Sequence, residues 1–600
     1  MSDGITNRLF NESDPNLRPT VPPGDTRLTD EGENGHNRQT TLGRRFVQLP
    51  TDTERSSKTG YLAASSAVVT LEHHHPIRQE ELLGSLFALL HRYTQQTNIA
   101  LDVCIRNGAT ACQIALDVEV ASDLPASSVI ESARLAFLIA IPPLVDMGRP
   151  SNIAASLTLA SSETGGGLDT VTDAPSSNNN YDAHFILTQT PAAVLISLAY
   201  NARLLRPATV SRLIGSYIAL LKATLNDHTI TIEQLPLLSP EEKQALAVGL
   251  DSGAAFHPLV PAHRLFESQA RQQPTVVAAS FQGHHLTYRD LDERSSQLAH
   301  HLITCGVGPE IPVAVCLQPC LDVLVAMLAI WKARGIYLPL DPSHPEAFIG
   351  RMLDETQPRL ALTTATLSGL TGRLPHFCFD TDAELIQKQP RTAPPIQPSL
   401  TDPAYIFYTS GTTGKAKGVV ALHSNLVQYI QSAAQKYNFS ATDTFASIAR
   451  YTFSISLFEL MSPLCCGGNL RILDRNEVLS PERLCRALKD VTVLHAGPSL
   501  LGSLFRYLDA TRSAPRTFPR MRHASSGGDM VTPKVMEGMK RVFPNAELFV
   551  IYGCTEVSCM GTSYSIDREA TVNRTIVGKP FSNVMLRIVD SNRNLVPFGV

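Results

Sequence analysis

The apolar residues in the first part of this chain recur at two spacings, one typical of helices and one of strands. Residues 63–71 and the two halves of 183–198, which break near Thr190 and Pro191, predict strands. Residues 207–225 have one apolar face at a 3.6-residue period and predict a helix. A second helix is predicted over residues 80–93 from the spacing of Leu82, Leu83, Leu86, Leu89 and Leu90.

Polar segments flank these elements. Residues 1–60 are rich in Asn, Asp, Thr, Pro and Arg. Their apolar side chains are too few to offset the entropy of ordering the chain, so a disordered leader is predicted. Residues 161–180 are rich in Ser, Gly and Asn and predict a surface loop.

From residue 263 onward, short apolar runs alternate with helical patterns. Helices are predicted over residues 289–303 and 323–333. This alternation predicts an α/β architecture of mostly parallel strands, with ligands at the ends of the strands. The strand-like runs are residues 313–317, 338–340, 360–363, 444–447 and 548–552.

Residues 408–418 read YTSGTTGKAKG and directly follow a strand-like segment. Glycines let backbone N–H groups approach phosphate oxygens, hydroxyls add donors, and lysines neutralise negative charge. The segment is not a Walker A loop, because only two residues separate Gly411 from Gly414 where that motif has four. The composition favours a polyphosphate-binding loop, and a flexible surface loop is the alternative.

The order of these residues resembles the phosphate loop of the adenylate-forming superfamily, which includes acyl- and aryl-CoA ligases, luciferases and the adenylation domains of nonribosomal peptide synthetases. Four further blocks resemble the family in the same order: 286–291 (LTYRDL), 331–342 (WKARGIYLPLDP), 552–556 (YGCTE) and 578–580 (GKP). The resemblance implies an α/β fold over residues 255–600: the family's large N-terminal domain, with two α/β sheet subdomains and a partial β-barrel.

Residues 61–250 resemble the second half of a condensation domain, an α+β, chloramphenicol acetyltransferase-like fold. The likeness rests on Tyr200 and Asn201, on the helix over 207–225 and on the exit sequence LPLLSPEE at 235–242. The family's catalytic signature is a His pair, three residues and then Asp. The only candidate, HHHPIRQ at 73–79, has no Asp there, so this region is predicted to be an inert platform.

The resemblance also implies the nucleotide site. Adenylation joins a carboxylate to the α-phosphate of ATP, so the protein must screen two anions and align them. Glu556 would bind Mg²⁺, Thr555 the α-phosphate, and Tyr552 would stack on adenine. The β- and γ-phosphates would lie on Thr409, Ser410, Gly411, Thr412, Thr413, Gly414 and Lys417, with the purine against Gly527, Gly528 and Asp529.

The predicted acyl pocket departs from relatives that activate amino acids. Those domains carry an Asp that pairs with the substrate ammonium, and Ser454 stands at that position. Because the pocket has no carboxylate, it predicts a hydroxy, keto, aryl or other acid without a free α-ammonium. A pocket that has drifted out of use is the alternative. The pocket residues are Phe453, Ser454, Ile455, Phe458, His495, Ser525, Gly527, Ile551, Cys559 and Met560.

Charge balance, apolar runs and cysteine spacing limit the classes of partner and location that the sequence predicts. With 51 Lys and Arg against 55 Asp and Glu, nothing points to nucleic acid or to a membrane surface. No apolar run of about 18 residues and no signal-like start is present, so a cytoplasmic location is expected. The 11 cysteines follow no disulfide or metal spacing and are read as reduced thiols.

The leading prediction is a nonribosomal peptide synthetase-like adenylation of a small carboxylic acid with ATP and Mg²⁺. The residues that lead to Val600 resemble the sequence just before the family's Gly-Glu-Leu strand, so the ribose-binding Asp and the lid Lys are expected beyond it. No catalytic residue is assigned, and the truncated chain is expected to be inactive or weakly active. Phosphopantetheine would belong to a carrier domain that is separate or missing, with carrier or other synthetase domains acting in trans. The alternatives are an acyl- or aryl-CoA ligase and a nucleotide-binding pseudoenzyme.

Overall fold

The computed structural model describes most of the chain and divides it into two compact units between Leu235 and Pro236. The predicted leader at 1–60, the histidines at 73–75, residues 162–180 of the predicted loop, and Gly411 to Gly414 lie outside the described residues. Those described are 62–70, 77–107, 110–139, 153–161, 181–189, 193–239, 242–246, 260–396, 398–410, 416–511, 518–590 and 593–597.

The first unit is built on a six-stranded mixed sheet. Its strands are β1 (Leu62–Thr70), β2 (Asn98–Asn107), β3 (Thr110–Glu119), β4 (Ile153–Ser161), β5 (Tyr181–Gln189) and β6 (Ala193–Asn201). They lie in the order β1-β6-β5-β4-β2-β3. The two pairs β5–β4 and β4–β2 are parallel, and the other neighbours are antiparallel. The predicted strand over 63–71 and the paired strands on either side of Pro191 are confirmed.

Three helices accompany this sheet: α1 (Gln79–Thr94), α2 (Ala126–Ile139) and α3 (Pro207–Asn226). The predicted helices over 80–93 and 207–225 are confirmed to within a residue. All five leucines of α1 and the apolar face of α3 are buried, as their spacing predicts. The Tyr217 hydroxyl donates to the carbonyl of Leu82 at 2.9 Å, which ties α3 to α1. The condensation-like character of this unit stays a prediction.

The second unit contains two sheets, as the resemblance to the adenylate-forming superfamily implies. Their strands are β7 (Val277–Phe281), β8 (His284–Thr287), β9 (Pro312–Cys316), β10 (Ile336–Leu340), β11 (Ala361–Thr363), β12 (His376–Cys378), β13 (Pro403–Ser410), β14 (Ala416–Leu422), β15 (Thr444–Ser447), β16 (Asn469–Ile472), β17 (Val493–Ala496), β18 (His523–Gly527), β19 (Glu547–Tyr552), β20 (Thr562–Ser565) and β21 (Lys579–Pro580).

One sheet has the order β12-β11-β9-β10-β13-β14, and the other β21-β20-β19-β18-β17-β15-β16-β7-β8. Their central strands are parallel, and antiparallel pairing is confined to β13–β14, β7–β8, β19–β20 and β20–β21. The predicted mostly parallel architecture is confirmed. The partial β-barrel stays a prediction.

The two helices predicted in this unit, over residues 289–303 and 323–333, are confirmed to within a residue. The helices of the unit are α4 (Ala262–Gln272), α5 (Tyr288–Thr304), α6 (Asp322–Lys332), α7 (Glu346–Thr356), α8 (Ala383–Gln387), α9 (His423–Lys436), α10 (Ile455–Cys466), α11 (Arg475–Leu479), α12 (Pro481–Ala487), α13 (Pro498–Ala510) and α14 (Pro533–Val542).

Helix α6 forms the centre of the larger core. From Val323 to Lys332 every residue is buried, which explains its almost wholly apolar sequence. The Trp331 indole donates to the carbonyl of Ala404 at 2.7 Å and so attaches α6 to β13, the strand that leads into the predicted phosphate loop. The buried Lys332 ammonium donates to Asp292 at 2.7 Å and to two serine hydroxyls, so its charge is compensated.

A buried carboxyl group holds the segment between β15 and α10. Glu459 is 1% exposed, and its Oε2 accepts hydrogen bonds from the backbone N–H groups of Ile448 at 2.8 Å and Ala449 at 2.9 Å. Burial raises the pKa of Glu459 to about 8, although these hydrogen bonds oppose the shift. The segment held in this way runs into Phe453 and Ser454, both predicted to line the acyl pocket.

We expect Glu459→Gln to flatten the pH dependence of stability. In the folded state this carboxyl stays protonated up to its pKa of about 8, whereas the ordinary value of 4.5 applies when the chain is unfolded. The folded state therefore binds more protons between these values, so this group's contribution to stability falls as pH rises through the window. Urea midpoints measured at several pH values from 5 to 8 should fall less steeply in the variant.

Glu482→Gln is the matched control, because Glu482 is an exposed residue of α12 that pairs only with exposed Arg486. It should leave the pH dependence as in the parent. Equal slopes for the parent and Glu459→Gln would contradict the assignment of a protonated, buried carboxyl group.

Candidate active site

A cavity of about 400 Å³ is lined by residues from three predicted sets, namely the phosphate-binding residues, the residues of the motif at 552–556 and the acyl-pocket residues. It lies by the carboxyl ends of the central parallel strands β17, β18 and β19, where the α/β pattern predicts a ligand site. Its lining residues are Thr409, Lys417, Phe453, Ser454, Ile455, His495, Gly528, Ile551, Gly553, Cys554, Thr555, Glu556 and Cys559.

The phosphate side of the cavity is built on the antiparallel pair β13–β14. Thr409 and Lys417 are directly opposite each other in that pair, and both line the cavity. Ser410 ends β13 opposite Ala416. This register places a hydroxyl and an ammonium at the base of the segment 411–415. The role of the glycines and threonines at 411–414 stays a prediction.

The acidic side follows β19 directly. Gly553 must be glycine, because a Cβ atom there would overlap the carbonyl of Cys559. The backbone N–H of Cys559 donates to Cys554 at 3.0 Å and closes a tight turn around the short helix Thr555–Val557. Glu556 is exposed on this turn and forms no ion pair with any described residue, so its carboxylate is free to bind a cation.

The acyl side is neutral. Ser454 and Ile455 stand at the start of α10, and His495 lies on β17 opposite Ser525 of β18. His495 Nδ1 is 3.0 Å from Ser525 Oγ, and burial lowers the pKa of His495 to about 4. The imidazole is therefore uncharged near neutral pH.

Some predicted pocket residues lie behind the wall of the cavity. Phe458 and Ser525 are each 1% exposed, and the Phe458 ring lies edge-on to His495 with centroids 6.2 Å apart. Gly527 packs against β19, where a Cβ atom would overlap the carbonyl oxygen of Ile551. These three residues shape the cavity by supporting His495 and Ile551. Met560 lines a smaller cavity of about 230 Å³, which Glu556 also borders.

Two residues predicted to contact the nucleotide base lie outside the lining of this cavity. Asp529 lines a separate groove of about 1010 Å³ between α13 and α14. The reason is local, since β18 ends at Gly527 and Gly528 takes a φ of +80°, which turns the chain. Tyr552 ends β19, is 53% exposed and is outside the lining of the cavity.

Gly553 and Cys554 line the cavity but were not predicted as site residues. Both fall inside the motif at 552–556, which contained the signal. The motif pointed to the neighbouring Thr555 and Glu556. Gly553 contributes its close backbone packing to the cavity, and Cys554 contributes an exposed thiol.

Two further features are absent from the described residues. No three His, Cys, Asp or Glu side chains come together there in a group able to hold a metal ion. Across the same part of the chain, every helix is too short or too polar to cross a membrane.

The family of this chain follows from a direct match. Residues 266–600, more than half of the chain, match the model of the AMP-binding enzyme family. The chain belongs to that family. Its motifs at 408–418 and 552–556 lie in the matched region and supply Thr409, Lys417, Thr555 and Glu556 to the cavity.

The curated relatives are peptide synthetases. The chain is 30% identical over 438 residues to tyrocidine synthase 3 of Brevibacillus parabrevis, covering 72% of this chain and 7% of that protein. It is 30% identical to the dimodular nonribosomal peptide synthase of Bacillus subtilis (strain 168), covering 68% of this chain and 18% of the relative. The chain thus spans a small part of these relatives.

Solved structures show the same fold. A four-domain nonribosomal peptide synthetase, holo-AB3403 bound to AMP and glycine, superposes with a TM-score of 0.72 at 19% identity, over 92% of this chain and 45% of its own. FmoA3, another such synthetase with AMPPNP bound, gives 0.70 at 19%, over 86% and 58%. The predicted resemblance to nonribosomal peptide synthetases is confirmed.

We expect Gly527→Ala to destabilise the second unit, because the new methyl group would overlap the backbone oxygen of Ile551, which cannot move without breaking the β18–β19 register. Overpacking of this kind costs about 1–3 kcal/mol. Gly497→Ala is the control, since its nearest neighbour would be 4.0 Å away. Thermal unfolding should show a clear drop for Gly527→Ala only, and equal midpoints would show that the strands tolerate the contact.

Proposed function

We propose that this chain binds Mg-ATP and a small carboxylic acid in the 400 Å³ cavity and joins them as an acyl adenylate, in the service of nonribosomal peptide synthesis. A carboxylate oxygen would attack the α-phosphorus, the bond to the β-phosphate would break, and pyrophosphate would leave. The observation that carries the proposal is the division of one cavity. The charged side chains Lys417 and Glu556, with the hydroxyls of Thr409 and Thr555, come from β13–β14 and the turn after β19, whereas uncharged side chains come from the start of α10 and from β17.

The proposal assigns a role to each residue of the nucleotide site. Lys417 neutralises phosphate oxygens and Thr409 donates its hydroxyl to them, together with Ser410 and residues 411–414. Glu556 holds Mg²⁺, and Thr555 contacts the α-phosphate. Tyr552 offers its exposed ring to adenine beside Gly527 and Gly528. Such groups lower the barrier by stabilising charge and by fixing two anions in line.

The neighbours support the nucleotide part of the proposal. FmoA3 binds AMPPNP, and holo-AB3403 binds AMP and glycine, as their structures are described. By analogy, residues 255–600 form an adenylation domain that uses ATP. Residues 61–250 form a condensation-like platform without a role in the chemistry. The adenylate would pass to the phosphopantetheine thiol of a carrier protein, which belongs to another domain or chain.

The acyl side favours an acid that lacks an α-ammonium. Among the described residues that line the cavity, Glu556 is the only carboxylate, and it lies on the turn after β19. Ser454 supplies a hydroxyl where an ion pair would be needed, and His495 is neutral. A buried ammonium without its counter-charge costs several kcal/mol by the usual measure. Hydroxy, keto and aryl acids avoid this cost.

We expect Lys417→Ala and Glu556→Gln to weaken Mg-ATP binding, measured by calorimetry on the purified chain. The first removes the ammonium opposite Thr409, and the second removes a cation ligand. Loss of one charge-assisted contact corresponds to about 1.5–3 kcal/mol, or roughly 10- to 100-fold in affinity. Omitting Mg²⁺ should abolish the difference between the parent and Glu556→Gln.

Lys534→Ala is the control, since Lys534 is an exposed lysine on the separate groove between α13 and α14. It should bind Mg-ATP as the parent does. If Lys417→Ala and Glu556→Gln also bind like the parent, the nucleotide lies elsewhere.

We expect Ser454→Asp to shift binding toward α-amino acids, because a carboxylate there can pair with an ammonium. The matched ligands are L-phenylalanine and 3-phenylpropanoate, which differ only in that group. In calorimetry the parent should prefer 3-phenylpropanoate, and Ser454→Asp should reverse the order. Ser454→Ala should keep the parent's order. Preference of the parent for L-phenylalanine would refute the neutral-pocket argument.

A further inference from the structure

The groove of about 1010 Å³ between α13 and α14 shares no lining residue with the cavity of the proposed function. Both helices follow neighbouring parallel strands, β17 and β18, so they lie side by side and run in the same direction. They are in contact where the Phe505 ring lies against Gly538. The lining runs from Pro498 to Asp509, nearly the whole of α13, so the groove is about 18 Å long.

Apolar side chains form part of this groove. Phe505 and Val535 line it from α13 and α14, and Met530 lines it from the turn before α14 with 66% of its surface exposed. The flexible thioether of methionine is well suited to an adaptable binding surface. The groove is open above Gly502, because a Cβ atom there would meet only the Arg506 guanidinium, at 3.6 Å.

The charged lining of the groove is more basic than the chain as a whole. Five Lys or Arg side chains and three Asp or Glu side chains line it, whereas the chain carries a net charge of −4. Arg541 donates to Asp509 at 3.1 Å, and Lys540 pairs with Glu537 at 2.9 Å. Two of the three carboxylates are therefore already neutralised within the groove.

Two of the cations have no counter-charge. Arg506 is exposed on α13, where it donates to the Ser503 hydroxyl at 3.0 Å and forms no ion pair with any described residue. Lys534 is exposed in the first turn of α14 and likewise pairs with no described carboxylate. The N-terminal end of the helix dipole adds positive potential beside Lys534. The groove thus offers one unpaired cation from each of its two helices.

This combination suits a protein segment better than a nucleic acid or a membrane. Carboxylates in the lining would repel a chain of phosphates, and a flat bilayer does not enter a concave groove. An amphipathic helix, in contrast, is commonly recognised by laying its apolar face into a groove of this kind. Charge complementarity with Arg506 and Lys534 requires that such a helix be acidic.

We propose that the groove between α13 and α14 binds an acidic amphipathic helix of another protein. Its apolar face would lie on Phe505, Val535 and Met530, and its carboxylates would pair with Arg506 and Lys534. The inference is independent of the proposed function, because the groove and the cavity have separate linings.

The test uses designed peptides and the purified chain. A labelled helical peptide of about 12 residues, matched to the length of the groove, carries Leu on one face and Glu on the others. One control peptide has Lys in place of Glu, and a second has Ala in place of Leu. In fluorescence anisotropy the acidic amphipathic peptide should bind about tenfold or more tightly than either control. Added NaCl should weaken its binding, because exposed charges are screened.

Gly502→Phe is the blocking variant, since its side chain would enter the groove at an open position. Gly350→Phe is the matched control, because Gly350 lies on α7 and a Cβ atom there would have no neighbour within 4 Å. The first change should abolish peptide binding and the second should leave it unchanged. Arg506→Glu combined with Lys534→Glu should weaken binding about tenfold, whereas Lys489→Glu, at an exposed lysine outside the groove, should have no effect.

Thermal unfolding of each variant separates loss of binding from loss of folding. Equal binding of the three peptides, or unchanged binding by folded Gly502→Phe, would overturn the proposal. So would tighter binding of labelled oligothymidylate, or of phosphatidylserine-containing vesicles, that is lost in Gly502→Phe. Mg-ATP binding should stay as in the parent in every groove variant, and its loss in Gly502→Phe would assign the groove to the nucleotide site instead.

Discussion

The close parallel register of β17, β18 and β19 is the constraint on which the candidate site depends. Residue pairs such as His495 with Ser525 and Gly527 with Ile551 are aligned across these strands. The backbones approach so closely at Gly527 that no side chain fits there. Because parallel strands end at the same edge, this alignment brings the imidazole, the Gly528 turn and the Glu556 turn to one cavity.

Buried polar groups attach neighbouring helices, strands and one loop segment to the core of the second unit. The Trp331 indole bonds to β13, Lys332 is compensated by Asp292, and Glu459 accepts from the segment after β15. Each group is costly to bury alone and is stabilised only when its partners are in place. The result is a set of anchors that position the segments from which Thr409 and Ser454 project.

The cavity is asymmetric in charge. Lys417 and Glu556 are on the side suited to phosphate and a cation, whereas the acyl side offers Ser454, Ile455 and a neutral His495. In the proposed function, the charged side chains would orient the nucleotide, and the shape of the cavity and single hydrogen bonds would determine which acid binds. One hydrogen bond changes the binding free energy only modestly, but its sign depends on whether the ligand donates or accepts.

The sequence by itself determined the α/β class and the positions of most predicted elements, because periodicity is a local property, and it indicated the phosphate-loop segment through its Gly, Thr and Lys content. The roles of Thr555 and Glu556 came from the resemblance to the adenylate-forming superfamily. It also indicated the neutral acyl side through Ser454. Only the tertiary structure decided that Asp529 turns away to another groove and that Met560 lies in a neighbouring cavity. These outcomes depend on backbone turns and on contacts between strands far apart in the chain, which no local pattern records.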